Sequence, residues 1–273
     1  MCAICGCSDR DPSHAHEAHG HTHGGHTHGG HGHAHPHDDA RPRVELRTGR
    51  ARGRSIAVLE RDVLAKNDRL AQENRRWLAE RSIFALNLVS SPGAGKTTLL
   101  ERTIRDLGKE LAIHVIEGDQ ATDRDAQRIR SAGARAVQVN TGAGCHLDAA
   151  MVARALEELA PPAGALLVIE NVGNLVCPAL FDLGEHHKVV IASVTEGEDK
   201  PAKYPHMFRA GGVVLLNKVD LLPHVEFDVG RFTGHMESVN PASRLFQVSA
   251  TRGDGLDAFH DWLREQTLRG RAA

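Results

Sequence analysis

Phe84-Ala85-Leu86-Asn87-Leu88-Val89, followed at once by Ser90-Ser91-Pro92-Gly93-Ala94-Gly95-Lys96-Thr97-Thr98, is the passage on which the fold turns. A short apolar strand runs into a glycine-rich loop, and a helix is expected over Lys96–Leu107. Backbone N–H groups of Gly93, Ala94, Gly95 and Thr98, at the mouth of that helix, point where phosphate oxygens would sit. Lys96 reaches the β- and γ-phosphates, and the Thr97 hydroxyl is placed to hold Mg²⁺. The pattern G-x-x-x-x-G-K-[ST] is complete except that Ser90 stands at its first glycine. The strand–loop–helix setting is what separates a phosphate loop from a glycine-rich turn with a surface lysine.

Downstream, short apolar runs alternate with helical segments. Strands are expected at Ile113–Glu117, Ala136–Val139, Ala165–Glu170, Val189–Val194, Val213–Asn217 and Leu245–Val248. Helices are expected at Asp123–Ala132, Leu147–Leu159, around Lys203–Arg209, and at Leu256–Leu268. This alternation demands crossover connections, so the fold class is α/β: a mainly parallel sheet covered by helices on both faces. Upstream, Ile56, Leu59, Val63, Leu70 and Trp77 recur at helical steps and predict one long helix with an apolar stripe. That stripe packs on its own domain or also meets a second subunit. The α/β domain is placed at 55–273, and residues 1–54 form a tail and linker.

Asn217-Lys218-Val219-Asp220 closes one predicted strand on the same sheet edge as the phosphate loop. A carboxylate there accepts from both N1–H and the exocyclic amine of guanine, a donor pair adenine lacks. Lys218 lies along the base, Asn217 braces the neighbouring loop, and Ser249-Ala250 offers a backbone N–H to the guanine O6. The nucleotide is read as GTP. Asp119 and Glu170 end two further strands, where carboxylates face the ligand crevice of an open parallel sheet. With Thr97 they form the expected magnesium set, and with Lys96 the catalytic set. In Glu170-Asn171-Val172-Gly173 the acid addresses Mg²⁺ through water while a backbone N–H meets the γ-phosphate. Asp123 and Asp125 read equally as part of this magnesium and switch system and as helix-capping or solvated acids.

Cys145-His146 opens a helix, and Cys177 lies seven residues beyond Glu170. Together they offer soft and borderline ligands suited to Zn²⁺ or Ni²⁺; simple burial of the thiols is the competing reading. Three ligands leave a tetrahedral shell incomplete, to be closed by water or by a second copy of the chain. Cys2, Cys5 and Cys7 form C-x-x-C-x-C, able with the terminal amine to satisfy a four-coordinate metal. Of 19 histidines, 11 lie between His14 and His37. His14, His16, His19, His21, His23, His26, His28, His31, His33, His35 and His37 alternate with Gly, Ala and Thr, too few apolar groups to order the chain unaided. Imidazoles at this density bind several divalent ions.

The 273 residues carry a formal net charge of -2, with 41% hydrophobic and 25% charged residues. No basic excess points to nucleic acid, and no apolar run approaches a membrane span. The first residues lack the layout of a secretory signal, so a cytoplasmic, reducing setting is expected for the five cysteines.

Taken together, Cys2-Ala3-Ile4-Cys5-Gly6-Cys7, Ser91–Thr97, Gly142–Asp148, Ile169–Pro178 and Asn217–Asp220 resemble the HypB family. Its members are GTPases that help deliver nickel to [NiFe]-hydrogenase. The resemblance covers nearly all of Ser55–Leu268 and the first seven residues. It implies a SIMIBI-class P-loop NTPase fold and a nucleotide- or metal-dependent homodimer. It also implies a nickel or zinc site at Cys145, His146 and Cys177, and a separate tight nickel site at Cys2, Cys5 and Cys7. The partners it implies are a HypA-like nickel/zinc protein and the hydrogenase large-subunit precursor, with the His tract as a nickel store. No lysine lies among Ser90–Ala94, so the deviant loop of MinD-like ATPases is absent. The urease nickel GTPase UreG is the neighbouring alternative, but its family carries Cys-Pro-His where this chain reads Cys145-His146-Leu147. A reservoir whose nucleotide domain is only a scaffold is a third reading.

Overall fold

The computed structural model describes residues 49–119, 123–142 and 144–272, with side chains within 58–270. The N-terminal cysteines and the His tract lie outside the described residues. The residues from Glu60 onward form one compact unit that contains the whole sheet.

Seven strands form that sheet in the order β3-β2-β4-β1-β5-β6-β7. They are β1 Phe84–Ser90, β2 Ile113–Asp119, β3 Arg135–Asn140, β4 Leu166–Glu170, β5 His187–Ser193, β6 Gly211–Asn217 and β7 Arg244–Gln247. Every pairing is parallel. A parallel sheet needs both faces covered, and β1 and β4 are accordingly buried along their whole length, successive residues joining opposite cores. Leu86 and Leu88 of β1 join a core with Leu99, Leu100 and Ile104 of α2 (Lys96–Leu107) and with Phe259 and Leu263 of α9 (Leu256–Ala272). Ala85 faces the other way, towards Val152, Leu156 and Leu159 of α4 (Ala149–Leu159). A third cluster joins β5 and β6 to Met207 and Phe208 of α7 (Pro205–Ala210) and to Phe232 and Met236 of α8 (Val229–Val239).

All seven expected strands are present, as are α2, α3 (Arg124–Ala132), α4 and α9. Helix α4 starts at Ala149 rather than Leu147, because Asp148 caps it by accepting from the Met151 N–H at 2.8 Å. The segment near Lys203–Arg209 is two helices, α6 (Lys200–Lys203) and α7, since Pro205 opens the second. Helix α5 (Cys177–Leu180) and α8 were not anticipated. Glycines at 230 and 234 weaken the helical signal of α8, which is held by its buried Phe232 and Met236 and by the Asp228 cap.

The long helix α1 runs Gly49–Ala79, but its buried face differs from the apolar stripe. Val63 stays 44% exposed, whereas Asn67, Ala71, Asn74 and Leu78 are buried. Polar anchoring explains the difference. Asn67 accepts from the Ala149 N–H at 2.9 Å and donates to the Asp182 carbonyl at 2.8 Å. Asn74 donates to the carbonyls of Ala149 and Leu183. Buried amides with this many partners fix register as firmly as leucines do. Among the described residues, no helix is long and apolar enough to cross a membrane.

Candidate nucleotide and metal site

The loop between β1 and α2 borders a cavity of about 640 Å³ at the carboxyl edge of the sheet. Gly93 and Gly95 take φ of 79° and 98°, a region open to glycine at little cost. Gly95 is doubly required, because a Cβ there would stand 2.6 Å from Asn217 Nδ2. Ser90, at the first glycine position of the motif, is fully buried and has a use. Its hydroxyl donates to the Ser91 carbonyl at 2.6 Å and accepts from Lys96 Nζ at 3.2 Å, holding the lysine over the cavity.

Thr97 Oγ1 donates to Glu170 Oε1 at 2.6 Å, while Glu170 Oε2 is buried with no hydrogen-bond partner. Parallel pairing of β2 and β4 sets Glu117 directly beside Glu170. Glu117 Oε2 is likewise buried and unpartnered. Asp119, two residues on, lines the cavity with Asp125. Burial, first, and then the charges of Glu170, Asp119 and Asp125 push Glu117 up to about 8, with Lys96 opposing. Burial also raises Glu170, against Lys96 and the Thr97 hydrogen bond. Two orphaned carboxylate oxygens beside a hydroxyl form a set of hard oxygen donors, which fits a divalent cation such as Mg²⁺. Thr97, Asp119 and Glu170 would hold it.

The Glu117 shift has a measurable consequence without nucleotide. Below about 4.5 the residue is neutral folded or unfolded. Between there and about 8 the unfolded chain gives up the proton that the folded chain keeps, so stability falls as pH rises through that window. Glu117→Gln removes this dependence. The variant is expected to gain roughly 3 kcal/mol over wild type between pH 5 and pH 8. Urea midpoints at both pH values measure it, and parallel pH dependence of the two proteins would refute it.

A second cavity, of about 360 Å³, adjoins the first and is lined by Gly95, Thr98, Asn217, Lys218, Asp220 and Ala250. Asp220 Oδ1 is buried there without a partner, an acceptor awaiting a donor. Asn217 braces the phosphate loop as expected, donating to the Ala94 carbonyl at 2.9 Å. Lys218, at φ 62°, donates to the Gly93 carbonyl at 2.8 Å. The expected base contact from Ser249-Ala250 is arranged differently. Ala250 N–H donates to Asn217 Oδ1 at 3.1 Å and Ser249 N–H to the Asp254 carbonyl at 2.9 Å. An O6 contact must therefore share one of these donors.

Cys145, His146 and Cys177 come together, their candidate ligand atoms all within 4.8 Å of one another. The two sulfurs are 2.9 Å apart, longer than the ~2.05 Å of a disulfide. Burial lowers the His146 pKa, favouring the neutral ring that ligates metal. Its ring lies 3.9 Å from that of Phe181. Cys145 also lines the phosphate cavity, alongside Lys96, Gly173 and Asn174.

The sequence reading missed Glu117, Asn171 and Arg128. Arg128 of α3 lines the phosphate cavity, 3.4 Å from Thr98 Oγ1 and 3.0 Å from Glu101. The available signal was polarity: a glutamate inside a buried strand and an asparagine just past the end of another need a partner or a task.

Comparison with known proteins agrees with this geometry. The family model described as "CobW/HypB/UreG, nucleotide-binding domain" matches residues 84–247. The hydrogenase maturation factor HypB of Rhizobium leguminosarum bv. viciae is 59% identical over 214 residues, 78% of this chain and 72% of that one. That of Azotobacter vinelandii is 50% identical over 280 residues, covering 97% and 92%. The crystal structure of HypB from Helicobacter pylori in complex with nickel is 38% identical, with TM-score 0.70 over 75% of this chain and 96% of that one. The likeness thus runs well beyond the phosphate loop itself, and the chain belongs to the HypB family of hydrogenase maturation factors.

Proposed function

We propose that the chain hydrolyses GTP and uses the cycle to gate nickel at Cys145, His146 and Cys177, for insertion into the hydrogenase large-subunit precursor. The observation that carries this reading is that Cys145 lines the cavity that also holds Lys96 and Gly173. Nucleotide and cargo then share one wall. The unpartnered Asp220 oxygen supports guanine as the base. Lys96 and the backbone N–H groups of Gly93–Thr98 hold the β- and γ-phosphates. Thr97, Asp119 and Glu170 hold the cation, which when bound neutralises phosphate charge as the terminal phosphoryl leaves. Gly173 packs on the loop, with a Cβ there lying only 3.1 Å from Pro92, so the segment that meets the γ-phosphate sits directly against the phosphate loop.

The remaining roles follow from the sequence and the family. Cys2, Cys5 and Cys7 hold a second nickel, and the His14–His37 tract stores more. A homodimer completes the ligand shell at Cys145, and a HypA-like protein exchanges nickel or zinc with the chain in the cytoplasm.

The test is the nickel affinity of full-length protein carrying Cys2→Ser, Cys5→Ser and Cys7→Ser. Thiolate–nickel charge-transfer absorption then reports Cys145 and Cys177 alone, because imidazoles of the tail give no such band. Affinities with GDP and with a non-hydrolysable GTP analogue are expected to differ by about 5- to 150-fold, the usual range for coupled sites. By linkage, nickel shifts the relative nucleotide affinity by the same factor. Equal affinities would refute gating, since a ligand that treats two states alike shifts neither.

A further inference from the structure

We propose that Asn171 is the positioning residue that ties the phosphate-responsive segment to the nickel ligands, an inference that rests on the gating reading. It directly follows Glu170 and is 2% exposed. Its backbone N–H donates to the Leu88 carbonyl at 3.0 Å, extending the β1–β4 pairing past the end of β4. Its side-chain oxygen then accepts twice. One donor is Val172 N–H at 3.0 Å, inside the Glu170–Gly173 segment. The other is Leu147 N–H at 3.2 Å, the residue after the ligand His146. One atom therefore holds both the nucleotide segment and the metal loop.

The other end of the amide is fixed. Asn171 Nδ2 donates to Asn87 Oδ1 at 3.2 Å, and Asn87 Nδ2 donates to Glu185 Oε1 at 3.0 Å. Glu185 Oε2 accepts from Leu183 N–H at 2.7 Å. Lys188 Nζ, 3.7 Å from Glu185 Oε1, donates to the Phe181 carbonyl at 2.9 Å, and the Phe181 ring lies against His146. The path thus leaves the metal loop at Leu147 and returns to it at His146. The side chains of Asn87, Asn171, Glu185 and Lys188 are all buried, so none can trade a lost partner for water without cost. Two neighbouring contacts leave the metal loop little slack. Asn174 Nδ2 donates to the Cys145 carbonyl at 3.3 Å, and Leu147 fills the space beside Gly118, where a Cβ would lie 2.8 Å from it. Displacing Val172 and Gly173 far enough to carry the Asn171 side chain along pulls on its bond to Leu147 or breaks it. Both outcomes move the frame of Cys145 and His146.

An asparagine suits this post because it accepts from two backbone donors while giving its own N–H to Asn87. Alanine keeps neither function. Aspartate keeps the two acceptances and loses the donation. The experiment titrates Ni²⁺ into full-length chain with Cys2, Cys5 and Cys7 changed to Ser, following thiolate–nickel absorption with GDP and with the non-hydrolysable analogue. In the Asn171→Ala variant the ratio of nickel affinities is expected to fall to within about twofold of one, from the 5- to 150-fold of coupled sites. The lost buried hydrogen bonds should lower its melting temperature, while its GDP affinity and absorption at saturation stay near the parent values, readouts that a merely structural defect would disturb together. Asn171→Asp is expected to recover part of the ratio. Should the alanine variant not fold, Asn87→Ser carries the test, since it cuts the support of the amide and should also lower the ratio. A parent-like ratio in the folded alanine variant, or in Asn87→Ser where that stands in, overturns the role of Asn171 and leaves gating intact. A ratio of one in the parent overturns gating and this inference with it.

Discussion

Asp220→Asn is expected to turn the base preference from GTP towards xanthosine triphosphate, moving the ratio of the two affinities by about 10³ to 10⁴. Asp220 Oδ1 is buried and unpartnered, so the folded chain already carries the cost of dehydrating it. Guanine repays that cost through N1–H and the 2-amino group, hydrogen bonds to a charged acceptor worth about 1.5 to 3 kcal/mol each. An amide in its place offers an N–H to the 2-amino group, a donor facing a donor, and about 100-fold of GTP affinity should go. Xanthine carries an oxygen at that position, so the same N–H becomes a bond and a comparable factor is gained. Lys218 and Asn217 brace the loop through Gly93 and Ala94 and are untouched by the change. Competition of both nucleotides against a fluorescent GDP measures the ratio. Undiminished GTP affinity in the variant would mean that Asp220 does not read the base.

The legibility of this site divides along a physical line. Whatever depends on order along the chain could be read. The phosphate loop had to follow a strand and open a helix, and the seven strands were marked by apolar runs that only a doubly covered sheet can bury. What depends on register between strands could not be read. Glu117 and Glu170 are far apart in sequence, and only the pairing of β2 with β4 makes them neighbours. The same holds for Asn87, a polar residue in an apolar strand and the middle of a buried path from Asn171 to Glu185. The face of α1 was misjudged for a related reason. Periodicity counts apolar side chains, but Asn67 and Asn74 seat this helix through main-chain groups of distant loops. The trio Cys145, His146 and Cys177 falls between the two cases. Its residue types suggested soft ligation, while nothing local could say that Cys177 would return to within 2.9 Å of Cys145.

Lys96→Ala separates a nucleotide-driven carrier from a reservoir with an idle scaffold. Lys96 lines the phosphate cavity, held there by Ser90 Oγ at 3.2 Å. On the proposed reading it supplies, within this wall of carboxylates, a cation where phosphate charge grows during transfer. Loss of one such preorganised group costs about 10²- to 10³-fold in turnover. The same change leaves the N-terminal cysteines and the His tract as they were, so total nickel bound by the chain should hardly move. The two readings therefore part at the hydrogenase. If the chain only stores nickel, the large subunit of a strain carrying Lys96→Ala should fill normally. If GTP hydrolysis gates release, its nickel content should fall together with turnover, while nickel accumulates on the carrier. Nickel on purified large subunit and GTP turnover of the variant are the two measurements. Normal filling with abolished hydrolysis would favour the reservoir and reduce the cavity shared by Lys96 and Cys145 to coincidence. A joint loss would require that energy released at the phosphate loop be spent on the wall it shares with the metal.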